Sequence, residues 1–190
     1  MIATPQYLQT VSQNFEKLQE LSETIDQAAA VCVAALRTGG KVIFCGNGGS
    51  AADSQHLAAE LMGRFLIDRN PLPALALTVD TSALTAIGND YGYDEVFARQ
   101  LRGIGQSGDV LVGLSTSGTS QNVVKAFAAA KDMNIQCIAL TGQSDSPMSA
   151  TAKVALQVPS HATNHIQEMH IAIGHIICGI VEADLCSAKQ

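Results

Sequence analysis

The stretch KVIFCGNGGSAADSQHLAAELMGRF, residues 41–65, decides the fold. Its apolar start, 42–45, reads as a strand. The glycine cluster after it reads as a turn, and residues 51–65 carry a helical pattern bearing His56 and Glu60. Gly46, Gly48 and Ala51 fall on the spacing G-x-G-x-x-A. A dinucleotide-binding turn requires an acidic residue at the end of the next strand, about 20 positions on. Here the next apolar run starts near Ala74, and its Asp80 lies 34 residues past Gly46. The glycine turn therefore points to another ligand.

Outward from this stretch the pattern alternates. Short apolar runs at 42–45, 74–79, 110–114, 136–140 and 154–158 read as strands. Helical patterns at 51–65, 93–104 and 120–133 separate most of them, and a final long helix covers about 164–185. Strand and helix in repetition predict an α/β fold: a three-layer sandwich around a five-stranded parallel sheet, doubly wound like flavodoxin. Residues 143–150 read as a polar loop.

Residues 5–37 read as helix, with Leu8, Val11, Phe15 and Leu18 at steps of three and four. Ser22 is expected to cap a break, and Gly39-Gly40 to end the segment. Its apolar stripe packs either on another subunit or within its own domain. The chain of 190 residues suits one domain, 1–190, made of a helical segment 1–38 and an α/β core 39–190.

The net charge is −6 and no basic patch occurs, which argues against nucleic acid as a partner. No apolar run reaches the roughly 18 residues of a membrane span. The N-terminus lacks the basic start and apolar centre of a signal peptide. Cys32, Cys45, Cys137, Cys178 and Cys186 are scattered, without a C-x-x-C pair. They read as buried, reduced thiols in a cytoplasmic protein.

A second turn matches the first. Ser115-Thr116-Ser117-Gly118-Thr119-Ser120 also follows an apolar strand and opens a helix. Glycines let backbone N–H groups face a ligand, and a helix start adds partial positive charge. Hydroxyls and amides without Lys or Arg suit a phosphate held by hydrogen bonds. The plainer reading is an ordinary strand-to-helix turn with Ser120 as its cap.

His56 and Glu60 are four apart and share a helix face. That spacing suits two ligands of one metal, a base beside an acid, or merely a solvated face. Four of the five histidines lie in HATNHIQEMHIAIGH, residues 161–175. Gln167 and His175, eight apart, stand about 12 Å from each other along a helix and about 80° around it. Both flank one ion only if it sits between them; otherwise one of them serves a neighbouring subunit's site. His170 competes with Gln167 for the role, and the apolar neighbours suit histidines buried in a core.

The chain resembles the phosphoheptose (sedoheptulose 7-phosphate) isomerases of the sugar-isomerase, or SIS, fold. The likeness rests on CGNGGSAADSQHLAAEL, AIGNDYGYDEVFARQ, GDVLVGLSTSGTSQNVVKA and HIQEMHIAIGHII. It implies an aldose–ketose isomerase with one Zn2+ per subunit on His56, Glu60, Gln167 and His175. It implies substrate contacts from Asn47, Gly48, Gly49, Ser50, Arg64, Asn89, Asp90, Ser115, Thr116, Ser117, Ser120 and Gln167, with Asp53 next to the site. Glu60 is then the base and His175 the acid. The resemblance further implies a cytoplasmic homotetramer with active sites between subunits, supplying heptose for lipopolysaccharide or capsule. Relatives often carry Asp-Arg where this chain has Asn164-His165, which removes a carboxylate beside the ligand set. Rival readings are a non-catalytic SIS relative that binds a protein such as the replication initiator, an isomerase of another sugar phosphate, and a sugar-phosphate sensor.

Overall fold

A computed structural model describes residues 3–186. The remaining positions of the expected 1–190 unit, 1–2 and 187–190, lie outside the described residues. Five strands form one parallel sheet: β1 (Val42–Gly46), β2 (Ala74–Ala76), β3 (Val110–Leu114), β4 (Gln136–Thr141) and β5 (Val154–Gln157), in the order β2-β1-β3-β4-β5. The strands are short and almost wholly apolar because both faces are covered.

Alternate side chains of the strands feed two cores. Val42, Phe44, Val110, Val112, Leu114, Ile138, Leu140 and Leu156 point to one face. There they meet α2 (Ser22–Arg37), α3 (Gly49–Met62) and α8 (Thr163–Cys186). Ile43, Cys45, Leu111, Cys137 and Ala139 point to the other face. That face is covered by α5 (Val96–Ile104), α6 (Gln121–Asp132) and α7 (Pro147–Thr151), with Leu84 and Ile87 of α4 (Thr81–Tyr91) at its edge. The expected three-layer α/β sandwich is therefore the observed one.

Local differences from the sequence reading have local causes. The run 74–79 is strand only to Ala76, because Asp80 begins α4 by accepting a hydrogen bond from the Ala83 N–H at 2.9 Å. The sequence reading left α4 out. It also read 143–150 as loop, where Ser146 and Ser149 cap each other's backbone and open α7. The long first helix breaks where expected, as α1 (Thr4–Leu18), a 3-10 turn (Gln19–Leu21) and α2. Ser22 is not its cap: it is the first residue of α2 and donates to the Gln19 carbonyl at 2.6 Å. Helix α3 stops at Met62, short of Phe65, with Gly63 after it. Residues 93–104 divide into a 3-10 turn (Tyr93–Glu95) and α5.

Helix α8 is long and apolar enough to cross a bilayer, by length and composition alone. Here it is a core helix, burying Ile166, Met169, Ile173, Ile177 and Val181 against the sheet layer. Of the cysteines, Cys32, Cys45, Cys137 and Cys178 are buried and free, and Cys186 is free and partly exposed. Burial pushes the thiols of Cys32, Cys137 and Cys178 up to about 12, so they stay protonated.

The N-terminal edges of β1 and β3 are tied by Asp109, which is buried. Its carboxylate accepts from the Lys41 backbone N–H at 2.9 Å, the Gln106 N–H at 2.8 Å and Lys41 Nζ at 2.6 Å. Asp109→Ala is expected to lower the unfolding free energy by about 3 kcal/mol, the low end for breaking a buried pair, because Lys41 keeps some contact with water. Urea denaturation measures it. A change below about 1 kcal/mol would mean that the tie does not matter to the fold.

Candidate active site

In the strand order β2-β1-β3-β4-β5 the winding switches sides between the parallel strands β1 and β3, so a crevice opens at their carboxyl ends. Both glycine-serine turns sit there, because Gly46 pairs with Leu114 in register. They are joined by a reciprocal amide pair. Asn47 Nδ2 donates to Asn122 Oδ1 at 2.9 Å, and Asn122 Nδ2 donates to Asn47 Oδ1 at 2.8 Å. Tyr93 donates its hydroxyl to the same Asn47 oxygen at 3.1 Å. Asn122 and Tyr93 were not singled out from the sequence. The only sequence signal for Asn122 was its place in the first turn of a helix after a serine cluster.

The serine turn is a shaped cradle. Ser115 Oγ lies 2.9 Å from Ser120 Oγ, and the Gly118 N–H donates to Ser115 Oγ at 3.2 Å. Ser120 precedes α6 without capping it by its side chain, contrary to the plainer expectation. Gly118 has φ +65°, and a Cβ there would lie 2.2 Å from Ser146 Oγ, so only glycine fits. Ser117 is exposed, Thr116 and Ser120 are partly so, and the open N–H groups of α6 stand behind them.

Helices α3 and α8 bring the other groups together. His56 Nε2 lies 2.9 Å from His175 Nε2 and 3.2 Å from Glu60 Oε1. One ligand atom from each of the three residues falls within 4.8 Å of the others. Two imidazole nitrogens facing each other beside a carboxylate form a donor set that fits one transition-metal ion. The three come from one chain, so His175 does not need a neighbouring subunit to reach His56. Asp53 lies one turn before His56. Burial raises its carboxyl above the usual range, His56 and His175 oppose the shift, and one of its oxygens is buried without a hydrogen-bond partner among the described residues.

The remaining expected residues are distributed as follows. The Gln167 amide packs on Gly49, whose added Cβ would lie 2.7 Å from Gln167 Nε2. Ser50 is buried at the start of α3, against Gly46. Arg64 is exposed in the segment after α3. Asn89 and Asp90 lie on the last turn of α4, bonded to each other at 2.9 Å. His170 does not compete for the site: it is fully buried, neither ring nitrogen has a hydrogen-bond partner among the described residues, and burial pushes its pKa down to about 4 against the nearby Thr141 backbone. Asn164 donates to the Tyr7 hydroxyl at 2.9 Å, and His165 pairs with Glu168 at 2.8 Å.

Known proteins resemble this chain in sequence and in fold. The SIS domain model matches residues 6–142. The chain is 55% identical over 175 residues to a phosphoheptose isomerase of Akkermansia muciniphila, covering 92% of this chain and 93% of the relative. It is 54% identical to one of Rhodospirillum rubrum, covering 95% and 96%. The solved structure of a phosphoheptose isomerase from Neisseria gonorrhoeae superposes with a TM-score of 0.90 at 44% identity, covering 95% of this chain and 97% of that one.

The meeting of α3 and α8 depends on Gly174, beside His175. A Cβ on Gly174 would lie 2.5 Å from both methyl carbons of Leu57, one residue after His56. Gly174→Ala is expected to push the helices apart and weaken Co2+ binding by about 10-fold or more, the scale for disturbed ligand orientation. Adding Leu57→Ala makes room and recovers most of the affinity. Spectroscopic Co2+ titration reads both variants, and unchanged affinity in Gly174→Ala would refute the close-contact argument.

Proposed function

The chain belongs to the SIS-domain family, and we propose that it is a phosphoheptose isomerase that interconverts D-sedoheptulose 7-phosphate and D-glycero-D-manno-heptose 7-phosphate. The observation that carries this reading is the convergence of His56, Glu60 and His175 on α3 and α8, with α3 starting from one of two adjacent glycine-serine turns. A non-catalytic relative has no need of that carboxylate and that histidine together.

The reaction removes a proton from C1 of the ketose and returns it at C2 through an enediolate. The phosphate is held by Ser115, Thr116, Ser117, Ser120 and the first N–H groups of α6, which fixes the far end of the substrate and orients C1 and C2. Asn47, Gly48, Gly49, Ser50, Arg64, Asn89, Asp90 and Gln167 contact the sugar and its phosphate. Glu60 takes the C1 proton. One of its oxygens turns to His56, and the other makes no hydrogen bond among the described residues, which leaves it open to substrate. His175 serves the oxygens on which charge develops. His56, Glu60, Gln167 and His175 would together hold one Zn2+ per subunit, a Lewis acid that polarises the carbonyl when bound.

The product supplies heptose for lipopolysaccharide or capsule, in the cytoplasm. The enzyme is a homotetramer with its sites at subunit interfaces. Support comes from Leu8, Leu66 and Ile176, large apolar side chains left exposed near the site helices and the N-terminal helix.

Metal content and product identity, determined on the same purified sample, test the proposal. About one Zn2+ per chain and aldose heptose phosphate as product are expected; neither metal nor turnover would favour a protein-binding role. Glu60→Gln and His175→Gln should each lower kcat by about 100-fold or more, with the fold intact by circular dichroism. A loss under about tenfold would remove that residue from the chemistry.

A further inference from the structure

The segment that leaves α3 is held by one buried ion pair. The side chains of Arg69 and Glu182 are 4% and 3% exposed, and Arg69 Nε lies 2.9 Å from Glu182 Oε1. Glu182 also accepts from three successive backbone N–H groups, Phe65 at 3.0 Å, Leu66 at 2.7 Å and Ile67 at 3.2 Å. Burial alone would raise the Glu182 carboxyl, but these N–H groups and Arg69 outweigh it, and the net shift is downward, so the group is ionised. The far side of the guanidinium donates to the Glu60 and Leu61 carbonyls, both at 2.8 Å, and to those of Gly63 at 3.3 Å and Asn70 at 3.1 Å. The first two belong to the last turn of α3, the helix that carries His56 and Glu60, where carbonyls lack partners within the helix.

The same segment carries Phe65. Its ring stacks on the His175 imidazole, with centroids 5.7 Å apart and planes 22° apart. Glu182 stands two turns beyond His175 on α8. One carboxylate therefore links the helix bearing His175, the strap bearing the ring that covers His175, and the end of the helix bearing Glu60. An apolar pair of equal volume would stabilise such a core as well or better. It would not hold three N–H groups and four carbonyls in fixed places.

We propose that the Arg69–Glu182 pair is a positioning device for the site: it holds the strap so that Phe65 sets the plane of the His175 imidazole. Neither residue touches substrate. The kinetic part of the test rests on the isomerase reading above, whereas the spectroscopic part does not.

The full-length protein is labelled at its histidines and followed by NMR. Phe65→Leu removes the ring-current shift on the His175 ring protons and defines the unstacked position. Glu182→Gln is expected to move the His175 signals at least half of the way to that position, leaving His161 unchanged. In the isomerase assay, Glu182→Gln and Phe65→Leu each lower kcat by about 10-fold, a usual cost of misplaced groups, and the double variant falls no further. Asp109→Asn, at the opposite end of the sheet, loses thermal stability but keeps kcat. His175 signals that stay at the wild-type position in Glu182→Gln would overturn the proposal, whether or not the chain isomerises heptose phosphate. Multiplicative kcat losses, near 100-fold in the double variant, would overturn the coupling through Phe65. If Glu182→Gln does not fold, Arg69→Lys is read by the same two criteria, because a lysine cannot reach the α3 carbonyls and Glu182 together.

Discussion

The close approach of α8 to α3 is the constraint on which the site depends. His56 and His175 are 119 positions apart in the chain, yet their ring nitrogens lie at hydrogen-bond distance. The sheet cannot bring them together by itself, since α3 follows β1 and α8 follows β5. Both helices must lie on the same face, and where the Leu57 side chain of α3 meets α8 there must be no second side chain. Gly174 meets the second condition. The first follows from the winding of the sheet, which puts α3 and α8 on one face and α5, α6 and α7 on the other.

The winding also sets the division of labour within the crevice. Parallel strands put all their carboxyl ends on one side, so β1 and β3 deliver their turns next to each other. One turn runs into α3 and thus toward the histidine cluster. The other runs into α6 on the opposite face and offers hydroxyls and N–H groups. An extended molecule with an anion at one end and a reactive carbon at the other matches that layout. The Asn47–Asn122 amide pair locks the two turns in register, and it does so with neutral groups. The lock adds no charge between the two turns, in a chain whose net charge is −6.

Much of this was legible in the sequence, for identifiable reasons. Both-sided burial makes the strands continuous apolar runs, and glycine-serine turns mark their ends. The i, i+4 spacing put His56 and Glu60 on one face without further information. What the sequence left open was three-dimensional. Spacing did not decide whether His175 meets His56 in the same chain, because that depends on how two helices pack. The same spacing made His170 a competitor for Gln167, and only burial removes it. Helix α4 was missed because none of its residues is fully buried, so its apolar pattern is sparse. Helix α7 is five residues long and has no periodicity to detect. The Arg69–Glu182 pair was invisible because its partners are mostly backbone groups, and backbone groups leave no trace in residue spacing.

These misses share a physical origin that bears on how the site works. Side chains expected to touch the reacting atoms are recognisable by type and spacing, since chemistry demands particular functional groups. Those that hold them in place are recognisable only in the fold, since any packing or backbone contact of the right shape serves. A site assembled from two helices and two turns needs more of the second kind than one built on a single helix. Four elements must keep their relative positions to a fraction of an ångström for a proton to pass between adjacent carbons. In this chain that demand falls on one glycine contact, one amide pair and one buried ion pair, each lying between elements rather than within one.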